Sequence, residues 1–239
     1  MAVAFIALML ACSLLASTED FHPERTRYID STPPASGLSN FLFRGNMPIN
    51  GSQFAYVELV ETLRKVAQTQ ANVTLPGNFT FTDLSYLNPS EYKDENVERK
   101  FFELNSSRGN FVNWIIVGDF FLSPQDFDEQ EIKEKATHLS DWQLDNLPDK
   151  MAKMRAMLYT KQSQPNVIYT HCEAGTDRTG EMSGAYYMKY QNMTYQQAMA
   201  INNHVQSRPI YNSSRNALEW YCYYLKYVEG RSELNCTNS

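Results

Sequence analysis

Tyr169-Thr170-His171-Cys172-Glu173-Ala174-Gly175-Thr176-Asp177-Arg178-Thr179-Gly180 sets a cysteine and an arginine near the two ends of a glycine-containing loop. Ahead of it, Pro165-Asn166-Val167-Ile168-Tyr169-Thr170 is a short apolar run, β-branched and aromatic, which predicts a buried strand. Behind it, residues 180–190 have helix length and an apolar face. Strand, loop and helix in that order bring the loop amides and the unpaired N–H groups of the first helical turn to one point, where the helix dipole adds positive potential. An anion suits that point. Arg178 can fork two hydrogen bonds onto phosphate oxygens. A thiol in the same field loses its proton easily, so Cys172 is the expected nucleophile. Thr179 is expected to donate its hydroxyl to the sulfur, and His171 to orient the loop by hydrogen bonds. The bland alternative makes Cys172 an inert buried thiol and Gly175 a plain turn residue. It leaves the joint spacing of Cys172, Gly175, Arg178, Thr179 and Gly180 without a reason.

The pattern His-Cys-x5-Arg-Thr-Gly resembles the active-site loop of cysteine-dependent phosphatases of the protein tyrosine and dual-specificity type, most clearly over Asp141 to His204. The resemblance implies a dual-specificity-phosphatase-like α/β fold, a central sheet flanked by helices in a three-layer sandwich. Alternation of strand and helix around the loop points to the same class. It also implies phosphate binding by Glu173, Ala174, Gly175, Thr176, Asp177 and Arg178, with no metal and no cofactor. Within the superfamily, Glu173-Ala174-Gly175 is similar to tyrosine-phosphatase-like inositol polyphosphate phosphatases. Asp177 directly before Arg178 is similar to myotubularins and to certain bacterial secreted tyrosine and lipid phosphatases.

Such chemistry needs a general acid for the leaving oxygen, in this family an aspartate on a loop that ends at a helix start. Residues 138–148 resemble that loop, and Pro148 suits the first turn of a helix carrying Met151, Met154, Met157 and Leu158 on one face. Asp145 is the expected acid because it matches the family's Asp-x-x-Pro form, although it stands only 27 residues ahead of Cys172. Asp141, 31 residues ahead, fits the usual separation better but not the local pattern. Asp177, inside the loop, is the third candidate. For each, a helix cap or a solvated carboxylate is the competing role.

Residues 1–17 are uncharged and mostly apolar, then Thr18-Glu19-Asp20 follows; the segment reads as a secretory signal peptide cleaved after Ser17, too short to span a bilayer. Seven N-glycosylation sequons follow, at Asn50, Asn72, Asn78, Asn105, Asn192, Asn212 and Asn235, whereas Pro89 excludes Asn88. Together these predict a glycoprotein that is secreted or held in the secretory-pathway lumen. After cleavage Cys172, Cys222 and Cys236 remain, and Cys222 with Cys236 is the expected disulfide. A competing reading makes Cys222 a partner for oxidised Cys172.

The net charge of −6 gives no basic surface for nucleic acid or anionic lipid, and no second apolar segment is long enough for stable membrane insertion. Residues 18–39 read as a polar lead-in and 40–230 as the catalytic domain, with a tail at 231–239. A glycosylated, loop-rich insert at about 70–110 lacks the strand expected there by resemblance. Asn40 to Pro48 predicts a strand and turn, and Ser52 a cap for a helix with Phe54, Val57, Val60, Leu63 and Val66 inward. Phe101 to Leu104 and Phe111 to Val117 predict a hairpin. Thr194 with Gln197 predicts a capping box, and a last helix runs from near Ser214 to Gly230 with Leu218, Tyr221, Cys222, Leu225 and Val228 inward. His22, His138 and His204 have no metal-ligand spacing.

The function expected is a secreted phosphatase that hydrolyses phosphomonoesters, of phosphotyrosine or phosphoprotein type, through a phosphocysteine. Its partner would be a phosphorylated protein or a small phosphomonoester. Glu173 and Thr176 stand where inositol polyphosphate enzymes commonly carry lysines, so inositol phosphate or phosphoinositide substrates come second. A catalytically silent phosphate-binding module is the alternative from another class.

Overall fold

The computed structural model describes residues 19–33, Gly37 and 40–236; the signal-peptide expectation at 1–17 lies outside them. The chain divides into two compact units, Met1–Ile115 with Gln162–Ala174, and Ile116–Lys161 with Gly175–Ser239.

The first unit holds a five-stranded, mostly parallel sheet in the order β1-β2-β7-β5-β6. Its strands are β1 (Arg27–Ser31), β2 (Phe41–Asn46), β5 (Thr80–Ser85), β6 (Gly109–Asn113) and β7 (Asn166–Cys172), while β3 (Ile49–Asn50) and β4 (Gln53–Phe54) pair apart as a small hairpin. Within the five-stranded sheet of the described residues, β1 pairs antiparallel with β2 and the other pairings are parallel. Two helices flank it, α1 (Tyr56–Val66) and α2 (Tyr92–Leu104). Leu59, Leu63 and Val66 from α1 and Phe102 from α2 pack on Phe41, Phe43, Phe81, Val167 and Tyr169 of the sheet. Burial of such side chains contributes roughly 1.5–3 kcal/mol each. Strand β7 is buried at all seven positions, as the apolar run predicted. The class is α/β, as expected.

At Gly45 the sheet has no room for a side chain. A Cβ there would lie 2.0 Å from the hydroxyl oxygen of Tyr169, which donates to the Asn46 carbonyl at 2.7 Å.

Three local expectations are corrected. The segment 70–110 contains β5, hydrogen-bonded between β6 and β7, so the strand thought missing is present. Phe101 to Leu104 is the end of α2, not a hairpin arm, and β6 pairs in parallel with β5. Ser52 caps nothing: α1 begins after Ala55, Phe54 belongs to β4, and Val57 is exposed.

The second unit is helical: α3 (Glu129–Thr137), α4 (Leu139–Trp142), α5 (Leu147–Tyr159), α6 (Arg178–Tyr190), α7 (Tyr195–Asn203) and α8 (Asn212–Tyr227). Pro148 lies in the first turn of α5, whose buried residues are Leu147, Met151, Met154 and Leu158. Thr194 and Gln197 form the expected capping box on α7. Along α8, Leu218, Tyr221, Cys222 and Leu225 are buried as expected, whereas Val228 lies past the helix end and is exposed. Trp220 of α8 stacks edge-on against Trp142 and donates its indole N–H to the Leu122 carbonyl at 2.8 Å. Cys222 and Cys236 form the predicted disulfide, which leaves Cys172 the free cysteine among the described residues.

Candidate active site

The loop begins where β7 ends at Cys172 and closes where α6 begins at Arg178. Gly175, with φ of +72°, makes the left-handed turn that a side chain would strain. Cys172 is 1% exposed. In the first unit, the Met47 amide donates to the Glu173 carbonyl at 3.1 Å, and Arg25 Nη1 donates to the Ala174 carbonyl at 3.3 Å. These contacts fix the first half of the loop by its main chain.

Immediately before Cys172, His171 is fully buried with Asp83 of β5 and Glu98 of α2. Its Nε2 lies 3.0 Å from Asp83 Oδ1 and 3.5 Å from Glu98 Oε1. Burial pushes both carboxyls up, Glu98 strongly, with the neighbouring Asp83 adding to the rise. His171 is therefore held by carboxyls far away in sequence. Among the described residues these three side chains are the group whose donor atoms come close enough to surround a cation. At 3.0 Å the imidazole and Asp83 are at hydrogen-bond distance, which needs no ion.

The second half of the loop is held within the second unit. Arg208 donates from Nη1 and Nη2 to the two carboxylate oxygens of Asp177, at 2.9 and 2.6 Å, and the Tyr211 amide adds a third bond at 2.8 Å. Asp177 thus braces the residue next to Arg178, and its oxygens are engaged. Thr179 is buried, and its Oγ1 has no hydrogen-bond partner among the described residues, which leaves it available to the loop.

The two aspartates expected upstream stand in contrasting settings. Asp145 is buried, and its Oδ1 and Oδ2 accept from the Val117 and Gly118 amides at 2.8 and 2.6 Å. Nearby Glu181, in the first turn of α6, is pushed well above the carboxylate range by burial and then by Asp145. Asp141 is solvent-exposed on α4, with one oxygen 3.1 Å from His138 Nδ1. A fourth aspartate, Asp119, was not read from the sequence. It follows Gly118 directly, is half-buried, and burial raises its carboxyl, with Asp145 contributing. The turn signal Gly118-Asp119 after an apolar run was the clue available.

Residues 117–221 match the family model of the dual specificity phosphatase catalytic domain. No curated protein matches the chain. Solved structures similar to this chain include kinase associated phosphatase with its catalytic cysteine changed to serine (12% identity, 90% of this chain and 97% of that one, TM-score 0.45). Another is TpbA of P. aeruginosa in complex with pTyr (13%, 85% and 97%, 0.40). A third is the core catalytic domain of the PP-IP phosphatase SIW14 from S. cerevisiae in complex with citrate (16%, 80% and 88%, 0.39).

Proposed function

We propose that the chain hydrolyses phosphomonoesters in two steps at Cys172, with phosphotyrosine-type esters as substrates. The Cys172 sulfur attacks phosphorus and the bond to the leaving oxygen breaks, giving a phosphocysteine and a protonated alcohol or phenol. Water then attacks phosphorus, the S–P bond breaks, and inorganic phosphate leaves. Arg178, the loop amides and the first turn of α6 hold the charge that develops on the phosphoryl oxygens. Thr179 donates to the departing sulfur.

The observation that carries this reading is the free Cys172 at the end of β7 with Arg178 opening α6 six residues later. A monoester of a phenol is favoured over inositol polyphosphates because the loop carries Glu173 and Thr176 rather than lysines, in a chain of net charge −6. The secretory location is part of the same proposal, supported by the apolar start and seven sequons.

The test is release of phosphate from an aryl phosphate by the purified glycoprotein and by Cys172→Ser. Turnover should vanish in the variant. Equal turnover by both would reject the mechanism, and binding of phosphate without turnover would favour the silent module.

A further inference from the structure

We propose that the groove between the start of α1 and the end of α2 is covered by the chain's own N-linked glycan, whose first N-acetylglucosamine is attached to Asn105; this rests on the secretory reading above. The groove, its walls and the attachment point all belong to the first unit.

The groove has a volume of about 400 Å³, and three aromatic rings in a row line it. Phe101 stacks on Phe54 with ring centres 4.7 Å apart and on Tyr56 at 5.4 Å. Val57, near the head of α1, adds an aliphatic wall that is 66% exposed. Arg108 sets its guanidinium 4.6 Å from the centre of the Tyr56 ring, and its N–H groups are donors for a ligand carbonyl.

This volume is that of a small-molecule site, and it is too small for a standard protein interface, which buries about 800 Å² on each partner. Apolar carbon with a cationic donor at its edge complements N-acetylglucosamine. One face of that sugar is built of C–H groups, its acetyl group ends in a methyl, and its amide carbonyl accepts a hydrogen bond.

Two of the seven sequons stand in the groove, at Asn50 and Asn105. Asn105 is tied to the ring row, since its Nδ2 donates to the Phe101 carbonyl at 2.8 Å. Its sequon, Asn105-Ser106-Ser107, lies in a turn closed by the Arg108 amide, which donates to the Asn105 carbonyl at 2.9 Å. Ser106 and Ser107 are exposed, as a transferase requires. At Asn50, by contrast, Oδ1 accepts from the Phe21 amide at 3.1 Å and Nδ2 donates to Glu58 Oε2 at 2.9 Å, which directs that amide to a carboxylate instead of a ring-bearing residue.

In the covalent step Asn105 Nδ2 bonds to the anomeric carbon of a lipid-linked oligosaccharide diphosphate. The bond from that carbon to the diphosphate breaks, and one Nδ2 proton is lost to solvent. The second Nδ2 hydrogen remains, so the bond to the Phe101 carbonyl survives and starts the sugar beside the residue that carries the middle ring.

The experiment uses the chain secreted by a eukaryotic cell, as wild type, as Ser107→Ala, which removes the sequon but keeps Asn105, and as Ser107→Thr, which keeps both. Glycopeptide mass spectrometry should find Asn105 occupied in wild type and in Ser107→Thr, and bare in Ser107→Ala. Covering about 40 Å² of apolar surface corresponds to about 2–4 °C in Tm for a chain of this size. Ser107→Ala should melt lower by that amount, Ser107→Thr should match wild type, and trimming every glycan to its first N-acetylglucosamine should preserve the gap. Val57→Ser, introduced into wild type and into Ser107→Ala, should shrink it. Nuclear Overhauser contacts should join the protons of isotope-labelled N-acetylglucosamine to Tyr56 and Val57. An occupied Asn105 with no gap in Tm and no such contacts would overturn the proposal alone. So would a bare Asn105 beside other occupied sequons, or a wild-type dimer in sedimentation that Val57→Ser disperses. A chain on which none of the seven sequons is modified would overturn the secretory reading, and this proposal with it.

Discussion

The guanidinium of Arg208 meets the carboxylate of Asp177 fork to fork, with the Tyr211 amide as a third donor to the same carboxylate. Arg208 also lies 4.0 Å from the centre of the Tyr211 ring, so the arginine is held from two directions. Arg208→Ala should lower stability by about 1–2 kcal/mol in chemical denaturation and reduce kcat/KM more than it raises KM. Arg208→Lys should recover only part, because a point charge cannot reproduce the fork. A variant with unchanged kcat would show that Asp177 does not brace the loop.

Asp145→Ala should free the Val117 and Gly118 amides and destabilise the protein by about 1–3 kcal/mol, since two partly buried donors lose their acceptor together. Asp141→Ala should change the thermal midpoint little, because an exposed pair with His138 contributes about 0–1 kcal/mol. Parallel melts of the two variants check this.

Much of the site was legible because it is local. A strand, a loop and a helix in one continuous stretch carry their own signals, and β7 and α6 appear where the pattern put them. Strand β5 was not legible: Thr80-Phe81-Thr82-Asp83-Leu84-Ser85 has polar residues at buried positions. They are tolerated because Thr82 Oγ1 bonds Asn166 and Asn110, at 3.0 and 3.2 Å, and Asp83 bonds His171, partners that no window of sequence reveals. Phe101 and Phe102 looked like strand residues but stack on Phe54 and Tyr56 from a helix.

Glu219 supplies a pH signature. Burial raises it to about 7 from an ordinary 4.5, against the pull of Arg215. The folded state then binds the proton more tightly than the unfolded chain does. Stability is therefore largest below 4.5, falls as pH rises toward about 7, and is level above that. Glu219→Gln should flatten that part of the curve; an unchanged slope in urea titrations across the range would refute the assignment.

The disulfide between Cys222 and Cys236 closes a separation of 14 residues. Removing it as the double serine variant should cost about 2–4 kcal/mol, and reductant should bring wild type toward the same midpoint. Identical curves with and without reductant would mean that the bond does not form in solution.

Asn50, Asn72, Asn78, Asn192, Asn212 and Asn235 are all exposed and Asn105 is partly so, which leaves each accessible to a glycosyltransferase. Expression through a eukaryotic secretory pathway should give a chain whose mobility rises on treatment with an N-glycan amidase. Unmodified protein in the medium, or retention in the cytosol, would count against the location proposed.

Gly45 and Tyr169 bind each other's evolutionary options. Any residue with a β-carbon at 45 collides with the phenol, so a larger residue can be admitted there only after the ring has been trimmed to something smaller, and a trimmed ring leaves the Asn46 carbonyl without its donor. Drift at these two positions therefore has a required order: Tyr169 must shrink before Gly45 can grow.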